Sequence, residues 1–260
     1  MAFQRRIAGR SQAIVQRNRI AVMKKTYTIL LMLFFLSAFA YNASAQFVVA
    51  QDTIRGRIDF SPRLGDLNNT TIVPNDSVFY MFPPVPEADP WRYVDYYLPS
   101  RDTKRGYIQG TKLMRIDDYD IVEVERLSSH GAISFKNDNV RVHIAVANVT
   151  SKDTSVKLGN NGGYTVNGKP AKGTSRWAAP KLRYQSISVT IKGKNIVFPK
   201  KVYEHLFEPE IDNMVVYYNE PKDIVYIVAN NGGANNYYQA MWQVSPRGVA
   251  NVYIYDPSTK

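Results

Sequence analysis

The side chains that most often carry out catalysis are sparse in this sequence, and none stands in a recognisable catalytic spacing. The histidines are His130, His143 and His205, and the local pattern places them in a loop, a strand and a helix. No H-E-x-x-H, G-x-S-x-G, P-loop or dinucleotide-binding motif occurs. The chain has no cysteine, which excludes thiolate nucleophiles, disulfides and cysteine-based zinc sites. We therefore expect a protein that is not an enzyme, with no catalytic residue and no cofactor or metal site.

A run of carboxylates at Asp117-Asp118-Tyr119-Asp120 has the donor chemistry that a hard cation such as Ca²⁺ prefers. Its spacing lacks the glycine and the terminal glutamate of an EF-hand loop. We interpret this run as a solvated linker between two β-rich parts of the chain.

The distribution of charge along the chain predicts a contact surface. Between Ser155 and Tyr203 there are ten basic residues and no aspartate or glutamate. A block of like charge attracts anionic partners, and Tyr164 and Tyr184 could add ring faces for glycans, anionic lipid or an acidic protein. The alternative is a solvated face whose charges are balanced by acidic strands elsewhere in the fold. The candidate contact residues are Lys169, Lys172, Arg176, Trp177, Lys181 and Arg183.

The strongest strand pattern lies near the C-terminus, on both sides of a glycine- and asparagine-rich loop. Residues 224–229 (IVYIVA) and 237–244 (YYQAMWQV) are rich in β-branched and aromatic types, and the NNGGANN loop between them tolerates positive φ. This arrangement predicts a hairpin with a long tip. Strand alternation places Tyr238 and Trp242 on one face and Tyr237 on the other, and core packing is the favoured role for one of these faces. Weaker candidates for ligand contact here are Asn231, Asn235 and Tyr237.

The N-terminal residues predict export. Lys24-Lys25 precede a short apolar run, residues 27–41, and Ala43-Ser44-Ala45 offers a cleavage site before Gln46. We expect residues 23–45 to be a signal peptide, and residues 1–22 to be a mis-assigned extension. The first 45 residues hold seven basic and no acidic side chains, so 33 − 7 leaves 26 basic against 22 acidic residues. A formal charge of only +4 makes nucleic acid an unexpected partner, and no transmembrane span is expected after cleavage.

The stretch from Val78 to Ile116 carries a family resemblance. An apolar strand (VFYMF) is followed by a tryptophan strand, residues 91–97 (WRYVDYY), then by Gly106-Tyr107-Ile108 and a last strand, LMRI. This order resembles the second half of a bacterial SH3 (SH3b-type) domain, although the N-x-R-x-x-P phrase of the first half is absent. The resemblance implies a small SH3-like barrel within residues 46–120, after an arm that we expect to be irregular between Ile58 and Asn75. Trp91 and Tyr107 are weak candidates for ligand contact.

Residues 128–260 are expected to form a second antiparallel β domain. Period-two patterns recur here, Asn167-Gly168 is a strong hairpin turn, and Lys200–Phe207 is the one short helix that we predict. The order of its glycine, tyrosine and proline phrases is similar to a group of uncharacterised bacterial β-rich domains. The expected fold is therefore mainly β, an SH3-like barrel followed by a β-sandwich-like domain.

These patterns together favour an exported, non-catalytic binding protein of the bacterial cell envelope, either periplasmic or extracellular. Its expected partner is an envelope glycan or peptide, or an acidic envelope protein. One alternative is a periplasmic inhibitor or immunity-type protein. Another is a hydrolase without a recognisable motif, which would need His143 or His205 beside a carboxylate in a pocket.

Overall fold

The computed structural model describes residues 46–52, 57–98, 102–128, 131–152, 155–160, 162–175, 178–233 and 236–259. The predicted signal peptide and the extension before it lie outside these residues. The described residues pack as one compact unit. The fold is mainly β with several antiparallel sheets, as predicted, and the described ranges contain no α-helix.

The first seven strands form one sheet, which we call the N-terminal sheet. They are β1 (Gln46–Ala50), β2 (Ile58–Ser61), β3 (Thr71–Val73), β4 (Val78–Met81), β5 (Trp91–Tyr97), β6 (Thr103–Gln109) and β7 (Leu113–Arg115). Their order across the sheet is β3-β2-β6-β5-β4-β1-β7, and every pairing is antiparallel. The strands predicted at β4 to β7 are confirmed. The expectation of an irregular arm was wrong in part, because β2 and β3 lie within it.

The N-terminal sheet encloses an apolar core of its own. Ile58 and Phe60 of β2 and Val73 of β3 are buried in it, and Phe79 stacks on Tyr96 with ring centroids 4.7 Å apart. These contacts explain the two missed strands. At four and three residues, β2 and β3 are too short to display an alternating pattern, and they are held in the sheet by apolar side chains that reach this core. The core residues are Val48, Ala50, Ile58, Phe60, Val73, Phe79, Val94, Tyr96 and Ile108.

Thirteen further strands follow among the described residues. They are β8 (Asp120–Ile121), β9 (Val124–Ser128), β10 (Ala132–Lys136), β11 (Val140–Asn148), β12 (Val156–Leu158), β13 (Tyr164–Val166), β14 (Lys169–Pro170), β15 (Leu182–Ile191), β16 (Lys194–Val197), β17 (Met214–Asn219), β18 (Ile224–Asn231), β19 (Tyr238–Ser245) and β20 (Gly248–Tyr255). The outer sheet has the order β16-β15-β11-β10-β9, and the central sheet has the order β20-β19-β18-β17-β8. Strands β12, β13 and β14 form a small third sheet.

The outer and central sheets face each other across the larger core of the protein, so this part of the chain is sandwich-like. Trp242 of β19 lies in this core with no exposed surface, and its ring meets Tyr184 of β15 edge-on at 5.5 Å. Its Nε1–H donates to the carbonyl oxygen of Val202 at 3.0 Å. The predicted C-terminal hairpin is confirmed, with β18 paired to β19 and Ala229 opposite Ala240.

The second face of the central sheet is covered by the N-terminal sheet. Tyr80 of β4 stacks on Tyr255 of β20 with centroids 3.7 Å apart, and the Tyr97 hydroxyl donates to the Ile254 carbonyl at 3.0 Å. Met241, on the opposite face of β19 from Trp242, therefore has no exposed surface either. Three β layers result, and both faces of the hairpin serve packing.

The turn predicted at Asn167-Gly168 is confirmed, since φ is +51° at Asn167 and +78° at Gly168, as a tight hairpin turn requires. The helix predicted over Lys200–Phe207 is shorter than expected. It is a 3₁₀ helix over Lys200–Val202, because Leu206 and Phe207 are drawn into bridges with Lys172 and Arg183. The other 3₁₀ helices in the described residues are Pro86–Ala88, Gly110–Lys112, Ile116–Asp118, Ile211–Asn213, Glu220–Lys222 and Pro257–Thr259.

Candidate functional site

The basic residues that we predicted as a contact surface lie in several parts of the fold. The Lys172 ammonium pairs with Asp256 at 2.6 Å, at the end of β20. The backbone N–H of Lys181 donates to the Glu208 carboxylate at 2.6 Å. Arg183 and Lys169 line two different clefts, and Arg176 and Trp177 lie outside the described residues.

Acidic side chains from outside the basic segment balance part of its charge. Besides the Lys172–Asp256 pair, Lys192 pairs with Asp223 at 2.8 Å. Lys172 and Lys192 therefore fit the alternative interpretation, in which acidic residues elsewhere in the fold balance the basic segment. Lys169 and Lys201 have no ion-pair partner among the described residues.

The histidines do not form a catalytic arrangement with a carboxylate in the described residues. His143 lies on β11 with its Nδ1 3.0 Å from the Ser134 hydroxyl, on an exposed part of the outer sheet. His205 follows the Lys200–Val202 turn and lines a cleft that contains no acidic residue in its described lining. His130 lies outside the described residues. Nor do the described residues contain a cluster of three metal-ligating side chains.

A set of aromatic side chains lies together on the face of the N-terminal sheet that turns toward β20. The strand register places them in lateral rows across β4, β5 and β6. One row contains Tyr80, Asp95 and Arg105, since Tyr80 is opposite Asp95 and Asp95 is opposite Arg105. The next row contains Tyr93 opposite Tyr107, and it begins at Phe82, whose N–H donates to the Tyr93 carbonyl. Alternation along β5 puts every one of these side chains on the same face.

The rings of these rows are in contact. Tyr93 lies 5.0 Å from Tyr107 and 5.4 Å from Phe82, measured between ring centroids, and Phe82 meets Tyr255 edge-on at 6.1 Å. Phe82, Tyr93, Tyr107 and Tyr255 are all half-buried. We call these four rings with Arg105 the aromatic surface.

Arg105 lies at the centre of the aromatic surface. Its guanidinium carbon is 5.3 Å from the Phe82 ring centroid and 6.0 Å from that of Tyr93, within cation–π range. Its Nε donates to the buried Asp95 carboxylate at 2.7 Å. That hydrogen bond holds the pKa of Arg105 above its ordinary value. The charge is therefore permanent, and its position is fixed by Asp95 from below.

A shallow cavity of about 260 Å³ adjoins the aromatic surface where the N-terminal sheet meets β20. Its polar groups are two carboxylates, a guanidinium and a threonine hydroxyl, and its apolar wall is made of rings and one isoleucine. The lining residues are Asp95, Tyr97, Thr103, Arg105, Ile254, Tyr255 and Asp256. Aromatic rings beside a few polar groups are a common composition of sites for small ligands.

The structure places the weaker candidates for ligand contact in different parts of the fold. Tyr107 belongs to the aromatic surface, and the register places Trp91 one row beyond it, opposite Gln109. Tyr237 donates from its hydroxyl to Asn230 at 3.1 Å and is exposed. Asn231 is fully buried and accepts the Tyr184 hydroxyl at 3.0 Å, so its role is structural. Asn235 lies outside the described residues.

Sequence reasoning missed Phe82, Tyr93, Arg105 and Tyr255 as members of one surface. The available signal was the parity of the strands, because Tyr93 and Asp95 fall on the face opposite Val94. The parity of β4 and β6 would have added Phe82 and Tyr107. Nothing local could have added Tyr255, which comes from β20.

No family model, no curated protein and no solved structure matches this chain. In the part of the chain that the structure describes, no helix is long and apolar enough to span a bilayer.

Proposed function

We propose that this chain is an exported, non-catalytic binding protein of the bacterial cell envelope, and that the aromatic surface holds its ligand. The observation that carries the proposal is the row Phe82–Tyr93–Tyr107, three half-buried aromatic residues in which the Tyr93 ring contacts the other two. Rings held by a sheet lose little conformational entropy when a ligand binds, because their positions are already fixed. Such rings are also the side chains that contribute most at interfaces.

The ligand that we propose is the glycan of the cell wall. Sugar rings present C–H bonds on their flat faces, which stack on aromatic rings, and hydroxyl groups around their edges, which need hydrogen-bond partners. Arg105 and Thr103 line the adjoining cavity and supply hydrogen-bond groups beside the aromatic surface. Export rests on the sequence of residues 23–45, and the absence of cysteine fits a fold stabilised by packing alone.

Co-sedimentation with purified peptidoglycan at moderate salt tests the proposal. We expect the protein to sediment with the polymer, and the double variant Tyr93→Ala/Tyr107→Ala to bind about tenfold more weakly, since a stacked aromatic contact contributes roughly 0.5–1.5 kcal/mol. Tyr164→Ala is the matched control, because Tyr164 is half-buried on β13 and distant in sequence from the aromatic surface. Circular dichroism of each variant verifies that the fold is retained.

Two results would contradict parts of the proposal separately. Failure of the unmodified protein to sediment would exclude the cell-wall ligand. Equal sedimentation of the double variant and the control would exclude the aromatic surface as the site. Mass spectrometry of the protein purified from cells tests export, with a mature N-terminus at Gln46 as the expected result.

A further inference from the structure

A second cleft, separate from the aromatic surface, lies on the other side of the contact between Tyr97 and β20. Its volume is about 250 Å³. Three parts of the chain form it: the end of β5, the segment that follows Pro199, and the middle of β20, with one lysine from β14. The lining residues are Tyr97, Leu98, Lys169, Lys201, Val202, His205, Asn251, Val252, Tyr253 and Ile254.

The charge of this cleft is uniformly positive. Lys169 and Lys201 both line it, and neither forms an ion pair with another described residue. The described lining contains no aspartate or glutamate. Two ammonium groups left without a counter-charge at one concave site attract an anion, because the low-dielectric walls focus the potential into the cleft.

His205 adds a hydrogen-bond donor. Its Nδ1 is buried and has no hydrogen-bond partner in the described residues, whereas its Nε2 is not among the buried unpartnered atoms. An unsatisfied buried acceptor is tolerated better than an unsatisfied buried N–H, so the proton of the neutral ring belongs on Nε2. Burial, followed in importance by the charge of Lys169, lowers the pKa of His205 to about 4, with Lys172 lowering it further and Glu204 opposing it. At neutral pH the ring is therefore an uncharged donor.

The remaining wall of the cleft is apolar. Leu98, Val202, Val252 and Ile254 contribute half-buried aliphatic side chains, and Tyr253 adds a buried ring. An inorganic anion would leave these groups without a partner. A molecule that has both an anionic head and an apolar body would satisfy the lysines and remove aliphatic surface from water at the same time.

We propose that this cleft binds a small amphipathic anion, a carboxylate or phosphate joined to a compact apolar group. Lys169 and Lys201 pair with the anionic head, His205 donates to it, and the aliphatic wall covers the body. The neighbouring cleft of about 330 Å³ differs in its charge, because Glu204 lines it together with Arg183 and Lys200. Its charge is mixed, so an anion gains less there.

Adjacent lysines supply a matched pair of variants for the test. Lys201 lines the proposed site, whereas Lys200 lines the neighbouring cleft, and both side chains belong to exposed residues of one turn. Benzoate, phenyl phosphate and benzyl alcohol are titrated into the ¹⁵N-labelled protein, with chemical shifts followed by NMR. The first two probes differ in the anion, and the third has the ring without the charge.

We expect benzoate or phenyl phosphate to shift the signals of Leu98, Val202 and Val252, and benzyl alcohol to bind at least fivefold more weakly. Lys201→Gln and Lys169→Gln should each weaken the anionic probe about three- to fivefold, as an exposed ion pair does, while Lys200→Gln leaves it unchanged. Binding should also raise the pKa of His205, because a bound anion favours the imidazolium.

Stronger binding of one anionic probe identifies the head group as carboxylate or phosphate. Three results would overturn the inference: no shift at these residues with either anion, equal affinity for benzyl alcohol, or equal losses in the Lys200 and Lys201 variants. This test is independent of the proposed cell-wall function, since none of its variants touches the aromatic surface.

Discussion

Gly106 lies on β6 beside the end of β2, the neighbouring strand of the N-terminal sheet, and it tests the fold around the aromatic surface. A Cβ atom at this position would lie 2.3 Å from the Ser61 carbonyl oxygen and 2.7 Å from Cζ of Phe60. The φ of Gly106 is not in the left-handed region, so Gly106→Ala introduces a collision without backbone strain. Any loss of stability therefore reports the close approach of the two strands.

The size of the effect follows from these distances. Real Cβ atoms essentially never come within 3.0 Å of another atom, so the Ser61 carbonyl would have to move by at least 3.0 − 2.3 = 0.7 Å. Phe60 is only 2% exposed and cannot turn away without displacing the core of the N-terminal sheet. Overpacking a core costs about 1–3 kcal/mol, and a backbone obstacle belongs at the upper end, so we expect about 3 kcal/mol.

Urea denaturation followed by circular dichroism measures this loss, together with a fall in Tm of roughly 6–12 °C for a chain of this size. Gly233→Ala is the matched control. A Cβ there would meet no atom within 4 Å, and its φ is also outside the left-handed region. The control should change the free energy of unfolding by less than about 0.5 kcal/mol. If Gly106→Ala were as stable as Gly233→Ala, the pairing of β2 with β6 would be wrong.

Three further predictions concern the large core and the pH dependence of stability. Trp242→Phe should lower the free energy of unfolding by about 2 kcal/mol, because it opens a cavity and leaves the Val202 carbonyl without its donor; chemical denaturation measures this. Burial tends to raise the pKa of Asp256, but hydrogen bonds from Lys172 and Ser258 lower it overall. The stabilisation that the Asp256 carboxylate gives the folded state is therefore present above its unfolded pKa and is lost as the pH falls through its folded pKa. Asp256→Asn should cost about 1–2 kcal/mol at neutral pH and flatten the acid limb of a stability–pH curve. The pKa of His205 is lowered from 6.5 to about 4, so the free energy of unfolding should fall as the pH drops from 6.5 toward 4, where only the unfolded chain takes up the proton. His205→Gln should remove this part of the pH dependence, measured by denaturation at several pH values in that range. An unchanged dependence would contradict the prediction.

Much of the strand content could be predicted from local patterns. The residues of β5, β18 and β19 alternate or run apolar over seven or eight positions, long enough for the period of two to be visible. Asn167-Gly168 could be recognised as a hairpin turn because only a few residue types tolerate positive φ at both positions. Short strands such as β2 and the extent of the Lys200–Val202 turn could not be predicted, since contacts with residues distant in the chain decide them.

The candidate sites were less accessible to sequence reasoning than the strands. The segment from Ser155 to Tyr203 is basic in sequence, but Lys172 is neutralised by Asp256, which lies 84 positions away. The adjacent residues Lys200 and Lys201, which share one turn, line different clefts. Linear charge therefore could not indicate which lysines lack a partner.

The sequence by itself determined that the chain is mainly β, where its long strands and its tightest turn fall, and that cysteine chemistry plays no part in it. These properties depend on local periodicity and composition, which need no knowledge of distant contacts. Only the tertiary structure decided that both faces of the C-terminal hairpin are buried, and that Tyr255 of β20 joins Phe82, Tyr93 and Tyr107 in one surface. The physical reason is that alternation assigns a side chain to a face of its strand, whereas the pairing and stacking of strands far apart in the chain determine what that face meets.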